Sequence, residues 1–126
     1  MHGISIVTGT LNRQKYLPDL IANTVNSGSG VKVELVLVDG GSTDGTIEYL
    51  EELNHSSIKL IKHGKRSSYP HYMGLGIIHA SYDLICQWND DVLLINSWDE
   101  VLGEIDKKND AYLFNWKLGQ QSDAYN

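Results

Sequence analysis

Leu35-Val36-Leu37-Val38-Asp39-Gly40-Gly41-Ser42-Thr43-Asp44-Gly45-Thr46 decides how this chain is read. Its first four residues are apolar without a break, as in a strand covered on both faces. The rest is a turn of glycine, carboxylate and hydroxyl residues. A second passage is built the same way, with Leu84-Ile85-Cys86 running into Trp88-Asn89-Asp90-Asp91. In an open α/β sheet, ligands bind just beyond the carboxyl ends of parallel strands. Two acidic, turn-like clusters at such an edge point to a polar ligand held through a hard cation. A nucleoside diphosphate with Mg2+ or Mn2+ fits that description.

Strands and helices alternate outward from these two passages. Residues 4–8 are a short β-branched run and read as a first strand. Tyr16, Leu17, Leu20, Ile21, Thr24 and Val25 recur at helical spacing, with Pro18 near the start, where proline is tolerated. Residues 33–38 are the second strand. Residues 46–53 are a short helix carrying Ile47, Leu50 and Leu53 on one side, with Asp44 or Thr43 as its N-cap. Further strands are expected at 58–61, 84–88, 92–95 and 111–116, and further helices at 71–80 and around Trp98, Val101, Leu102 and Ile105. The order predicts an α/β fold: a mostly parallel open sheet with helices on both faces, forming a single domain over residues 1–126.

Composition removes several function classes. Ten basic against sixteen acidic residues give a formal charge of -6, whereas a nucleic-acid binder carries a basic stripe. The nearest approach to one is Lys59, Lys62, Lys65 and Arg66, with His63 among them. No run approaches the roughly 18 apolar residues of a membrane span. The first residues enter a strand pattern at once, with no signal peptide visible. The single Cys86 can form no internal disulfide, so a reducing, cytoplasmic setting is expected.

The chemistry-bearing residues each admit two readings. Asp39 ends a buried strand and can accept hydrogen bonds from a nucleobase edge, or it can cap its own turn. Asp90 and Asp91 repel one another and gain from a cation beside them, or they belong to a polar loop that only turns the chain. His63, His71 and His79 are eight apart, a spacing that does not place two on one helix face for a metal. Trp88, Trp98, Tyr112, Phe114 and Trp116 read mainly as packing residues. Gly74-x-Gly76 lacks the strand-to-helix context of a dinucleotide loop.

Together the segments resemble the nucleotide-sugar-binding half of family 2 glycosyltransferases, which have the GT-A fold. Three stretches carry the resemblance. Ile4 to Arg13 matches the family's opening strand and turn, Val36 to Thr46 its second-strand signature, and Gly76 to Asp91 its glycine, alanine and Asp-x-Asp spacing. The resemblance implies that Thr8 and Thr10 line a nucleoside pocket and that Asp39, followed by Gly40, meets the uracil ring. Asp91 would bind a Mn2+ or Mg2+ bridging the diphosphate. Asn89 would reach the ribose or a metal-bound water, Asp90 would lie near the donor sugar, and Arg66 would meet the nucleotide. Gly9, Leu11, Gly40, Gly74 and Asn89 depart from the family's usual proline, tyrosine, aspartate, asparagine and aspartate.

The implied activity is metal-dependent, inverting transfer from a UDP-sugar to a carbohydrate or glycan-like acceptor. Family members continue past the last strand seen here into an acceptor region that carries a catalytic base. No acid in this chain falls in that position, and Asp99 is the nearest candidate. Two alternatives stay open: a non-catalytic nucleotide-sugar-binding module, or the donor half of a longer or split enzyme. An unrelated α/β domain of receiver-like or nucleotidyl-transfer type is a third. The apolar face of Tyr112, Phe114 and Trp116 leads to the expectation of a homodimer built around residues 98–116.

Overall fold

The apolar runs become the strands of one parallel sheet. The computed structural model describes residues 3–105. The strands are β1 (Gly3–Thr10), β2 (Lys32–Asp39), β3 (Ile58–Lys62) and β4 (Leu84–Gln87). The helices are α1 (Leu17–Asn23), entered through a 3₁₀ turn at Gln14–Tyr16, then α2 (Thr46–Leu53), α3 (Tyr69–His79) and α4 (Trp98–Glu104). The sheet order is β3-β2-β1-β4 with every pairing parallel. Register aligns Thr10 with Asp39 and Asp39 with Lys62, so three strands finish in one row. β4 ends opposite Val7, and residues 88–91 continue toward that row.

Alternation along the strands divides the core in two. Ile4 and Ile6 of β1, Leu35 and Leu37 of β2, and Cys86 of β4 face α1, α2 and α4. There they meet Leu17, Leu20, Ile21, Leu50 and Trp98. Val7, Val36 and Val38 face the other way and meet Tyr72 and Met73 of α3. Helices therefore cover both faces, as the sequence implied. Gly76 lets α3 lie close on the sheet: a Cβ there would stand 2.2 Å from Val7 Cγ1. The same glycine lowers helix propensity, so packing outweighs propensity here.

Three local expectations change. Residues 92–95 form no strand. The side-chain amide of Asn23, the last residue of α1, donates to Leu94 O at 3.0 Å and accepts from Leu94 N at 2.8 Å. That backbone is thereby satisfied without a ladder. α3 starts two residues early, because Pro70 suits a first turn and the Ser68 hydroxyl accepts from His71 N. The cap position of α2 is Gly45, at φ 98°, rather than Asp44 or Thr43. Asp44 still serves that helix end, taking Thr46 N at 3.0 Å and the Thr46 hydroxyl at 2.6 Å.

Trp98 is 1% exposed and meets Trp88 edge-on with centroids 5.4 Å apart. Its indole donates to Asn23 O, so it serves the core and is not open to a second subunit. The expected strand at 111–116 and its dimer surface lie outside the described residues.

Candidate functional site

The carboxyl edge of the sheet gathers three loops. Residues 11–13 follow β1, residues 40–45 follow β2, and residues 88–91 follow β4. Backbone and side-chain bonds knit the first two together. Gly40 N donates to Thr10 O at 2.9 Å, and Asn12 N donates to the Ser42 hydroxyl at 2.9 Å. The Asn12 side chain accepts from Thr43 N at 2.7 Å, and Gln14 N donates to Asp44 at 3.0 Å. Asn12 reaches this position at φ 55°, which asparagine tolerates better than most residues.

Asp39 is fully buried. Its Oδ2 accepts from Gly41 N and Ser42 N, both at 2.8 Å, and its Oδ1 accepts from the Ser42 hydroxyl. Its carbonyl accepts from His63 N and Gly64 N, which joins the loop after β3 to this edge. The turn-capping role is therefore present. A carboxylate has about four acceptor positions, so three donors do not exhaust it.

The two threonines differ. Thr8 is buried, and its hydroxyl donates to Trp88 O at 2.6 Å, fastening the exit of β4 to β1. Thr10 is 3% exposed and its Oγ1 has no hydrogen-bond partner among the described residues. A buried hydroxyl left so costs about 1–3 kcal/mol. It stands at the register position of Asp39.

Gly40 has a steric reason. A Cβ at Gly40 would lie 2.2 Å from Tyr72 Oη, and one at Gly9 would lie 2.7 Å from the Tyr72 ring. Two of the departures from the family pattern are thus explained together by one tyrosine of α3. The clearance at Gly40 is filled by protein. Tyr72 Oη also accepts from Ser67 N at 3.0 Å, steadying the loop that carries Arg66. Arg66 is exposed and makes no ion pair among the described residues. His63 in the same loop stands 4.9 Å from the His71 ring of α3, and its Nε2 meets the Ser67 hydroxyl at 2.9 Å.

The third loop separates its three polar residues. Asn89 and Asp91 are exposed, and Asp90 is buried. Arg13 supplies the cation. Its Nε donates to both oxygens of Asp90 at 3.2 and 3.0 Å, and its Nη2 to Oδ1 at 2.9 Å. The same Nη2 lies 3.5 Å from Asp91 Oδ2, and the guanidinium covers the Tyr16 ring at 4.1 Å. The hydrogen bond to Asp90 raises the Arg13 pKa further, with burial pulling the other way. Nothing in the spacing of the sequence marks Arg13 for this role. The signal for it is strand adjacency: β1 neighbours β4, so the loops after them lie side by side.

Asp99 is not brought to this edge. It accepts from Gly30 N at 3.1 Å, two residues before β2 begins. The length of β2, about 23 Å at 3.3 Å per residue, separates that end from Asp39. Nor does Asp99 cap α4; Ser97 does, accepting from Glu100 N. Asp99 therefore stands apart from the loops that carry Asp39, Asp90 and Asp91.

No group of three or more His, Cys, Asp or Glu residues is placed to hold a metal among the described residues. The donor set still suits a hard cation that shares its shell with phosphate, since Mg2+-type sites use one or two carboxylates. Asp91 is the exposed carboxylate available for that. Cys86 is not a ligand candidate: burial pushes its thiol pKa up to about 12. No helix among the described residues is long and apolar enough to cross a membrane.

Comparison with known proteins bears on the fold and the family. An uncharacterized glycosyltransferase of Haemophilus influenzae is 24% identical over 109 residues, covering 85% of this chain and 33% of that protein. Among solved structures, S. aureus TarS in complex with UDP superposes with a TM-score of 0.65 at 20% identity, over 80% of this chain and 31% of that one. A mannosyltransferase from Pyrobaculum calidifontis in complex with GDP-Man and Mn2+ gives 0.63 at 20% identity, over 75% and 29%. Such likeness shows the fold, which is GT-A. The chain spans about a third of the length of these relatives. The family model described as glycosyl transferase family 2 matches residues 5–124, a span that contains all three loops of the carboxyl edge, and the chain belongs to that family.

Proposed function

We propose that this chain carries the donor site of a metal-dependent, inverting glycosyltransferase that uses a UDP-sugar. The observation that carries the proposal is a juxtaposition at one sheet edge. Asp39, a buried carboxylate, and Thr10, a buried hydroxyl with no partner among the described residues, end β2 and β1 at the edge where the loop after β4 carries an exposed carboxylate, Asp91, and Arg13 reaches that loop from the one after β1. Asp39 and Thr10 offer an acceptor and a free hydroxyl to the nucleoside. Asp91 offers one ligand to Mn2+ or Mg2+, and Asn89 is exposed beside it. A divalent cation bound there would offset the charge developing on the leaving diphosphate. Arg66 is exposed on the loop after β3, where it can meet the nucleotide. The relatives' titles name UDP in one case and GDP-Man with Mn2+ in another, which supports a nucleotide-sugar donor without choosing the base.

Asp90 does not reach the donor sugar as a free acid in this reading, because Arg13 occupies it. Asp99 is held at Gly30, away from this edge, and the acids described at the edge already have other partners or roles: Asp39 in its turn, Asp44 with Gln14 and Thr46, Asp90 with Arg13, and Asp91 toward the metal. That observation favours a second reading, in which the chain is the donor half of a longer or split enzyme, or a binding module without turnover. A carbohydrate acceptor and a cytoplasmic setting belong to the first reading; the single free thiol supports the latter.

Titration of the full chain with UDP, with and without Mn2+, tests the donor site; binding that needs Mn2+ is the expected result. Absence of UDP and GDP binding under both conditions would defeat it. Release of free UDP from a UDP-sugar then separates the enzyme from the binding module.

A further inference from the structure

Asp90 and Asp91 are neighbours in sequence but hold different things. Asp90 is 8% exposed, and three hydrogen bonds from Arg13 engage both of its oxygens. Asp91 is 53% exposed, and its ion partner is the same guanidinium at 3.5 Å. Arg13 is fastened on several sides. The Tyr16 ring lies 4.1 Å from its guanidinium. Asn12 before it is locked to Ser42 and Thr43, and Gln14 after it to Asp44. A bidentate guanidinium–carboxylate pair is planar and directional, which a lysine cannot reproduce. The cation that two adjacent carboxylates require is therefore part of the chain.

We propose that Arg13 is a positioning residue that reserves Asp90 and leaves Asp91 as the one carboxylate of this loop offered to a divalent cation. The metal then depends on a nucleoside diphosphate for much of its remaining shell. The fixed guanidinium beside Asp91 also opposes a second cation, so metal affinity without nucleotide is held low. Mn2+ and donor consequently bind as a pair. This deepens the donor-site reading and rests on it for the identity of the nucleotide.

The test uses the full chain and Mn2+ alone, titrated by calorimetry with no nucleotide present. Arg13→Gln should tighten Mn2+ binding about fivefold or more, because a unit charge at 4 Å is worth roughly that factor even in bulk water. It also releases Asp90 as a second ligand. Arg13→Gln combined with Asp90→Asn should return the affinity to near that of the parent. An unchanged or weaker Mn2+ affinity in a folded Arg13→Gln variant overturns the proposal. So does a gain that persists undiminished in the double variant.

Should Arg13→Gln fail to fold, Arg13→Lys keeps the charge and gives up the fork. A gain in Mn2+ affinity there supports the reservation of Asp90, and parent-like affinity overturns it. A purely structural Arg13–Asp90 pair would lower the melting temperature and leave the Mn2+ titration unmoved. Failure of UDP to bind the parent would remove the donor reading while leaving the Mn2+ result standing.

Discussion

The loop after β2 and the loop after β4 are both acidic, yet they are stabilised in opposite ways. Asp39 is satisfied from within its own loop, by two backbone N–H groups and a hydroxyl within three residues of it. Asp90 is satisfied from 77 positions away, by a side chain on the loop after β1. A self-closed loop is formed as soon as its strand is in place. A loop that borrows its cation is formed only when two strands are neighbours, and its exposed partner stays open to exchange. The first arrangement suits a constant element of a binding site, and the second suits the part that takes up a ligand.

The largest effect should separate binding from folding. Asp91→Ala is expected to abolish Mn2+-dependent UDP binding. It should leave the melting curve almost unmoved, because exposed ion pairs contribute only about 0–1 kcal/mol. Unchanged UDP and Mn2+ binding by calorimetry would break the contrast at its open end.

Asp39→Ala should do the reverse on stability. Each hydrogen bond to a charged group contributes about 1.5–3 kcal/mol, and the substitution leaves two backbone donors and a hydroxyl without their acceptor. A loss of about 2–4 kcal/mol in urea unfolding is expected, together with weaker binding of UDP and uridine alike. Retention of uridine affinity would reduce Asp39 to a turn former and leave the nucleoside contact to Thr10.

Glu34 offers a control, being a buried carboxylate away from the site. It accepts from the Ser5 hydroxyl and from Ser81 N and Oγ, with Lys59 Nζ at 3.1 Å. Burial by itself would raise its pKa, but these donors, Ser81 N–H foremost, outweigh it and hold the value below the usual glutamate range. A lowered folded pKa contributes stability that is present above the unfolded value and lost as pH falls through the folded one. Glu34→Gln should therefore flatten the acid limb of the stability curve. Urea midpoints measured from neutral pH down to pH 3 would show it; an unaltered slope would place the acid sensitivity elsewhere.

The smallest expected effect has opposite signs for folding and binding. Thr10→Val removes that hydroxyl and keeps the shape, so the free protein should gain about 1 kcal/mol, the low end of the cost of an unsatisfied hydroxyl. UDP binding should weaken by a comparable amount if the hydroxyl serves the nucleoside. A stability gain with no change in UDP affinity would confine Thr10 to the scaffold.

Much of the fold was legible locally. The continuous run before Asp39 and the glycine-rich turn after it mark a covered strand reaching a ligand-bearing edge, and the strand is there. The bounds of α2 follow from Ile47, Leu50 and Leu53 on one side of a short helix. Residues 92–95 misled because an apolar run of strand-like composition satisfies its backbone through Asn23, a side chain 71 positions away. Asp99 follows the loop after β4 closely in sequence, yet it is held at Gly30, because proximity in sequence says nothing about which edge of the sheet a helix begins on. Gly9 and Gly40 looked like independent departures from the family pattern, and only Tyr72 shows that they answer one steric demand.

Periodicity, turn residues and the two acidic segments therefore determined by themselves the parallel α/β architecture and the edge at which the site stands. Those signals are local, since hydrophobic alternation and backbone conformation depend on residues within a few positions of one another. Tertiary structure alone decided that Asp90 belongs to Arg13, that Asp91 is left exposed, and that the Thr10 hydroxyl lacks a partner among the described residues. Each of these depends on β1 lying between β2 and β4. That order is selected by burial over the whole sheet, and no spacing along the chain records it.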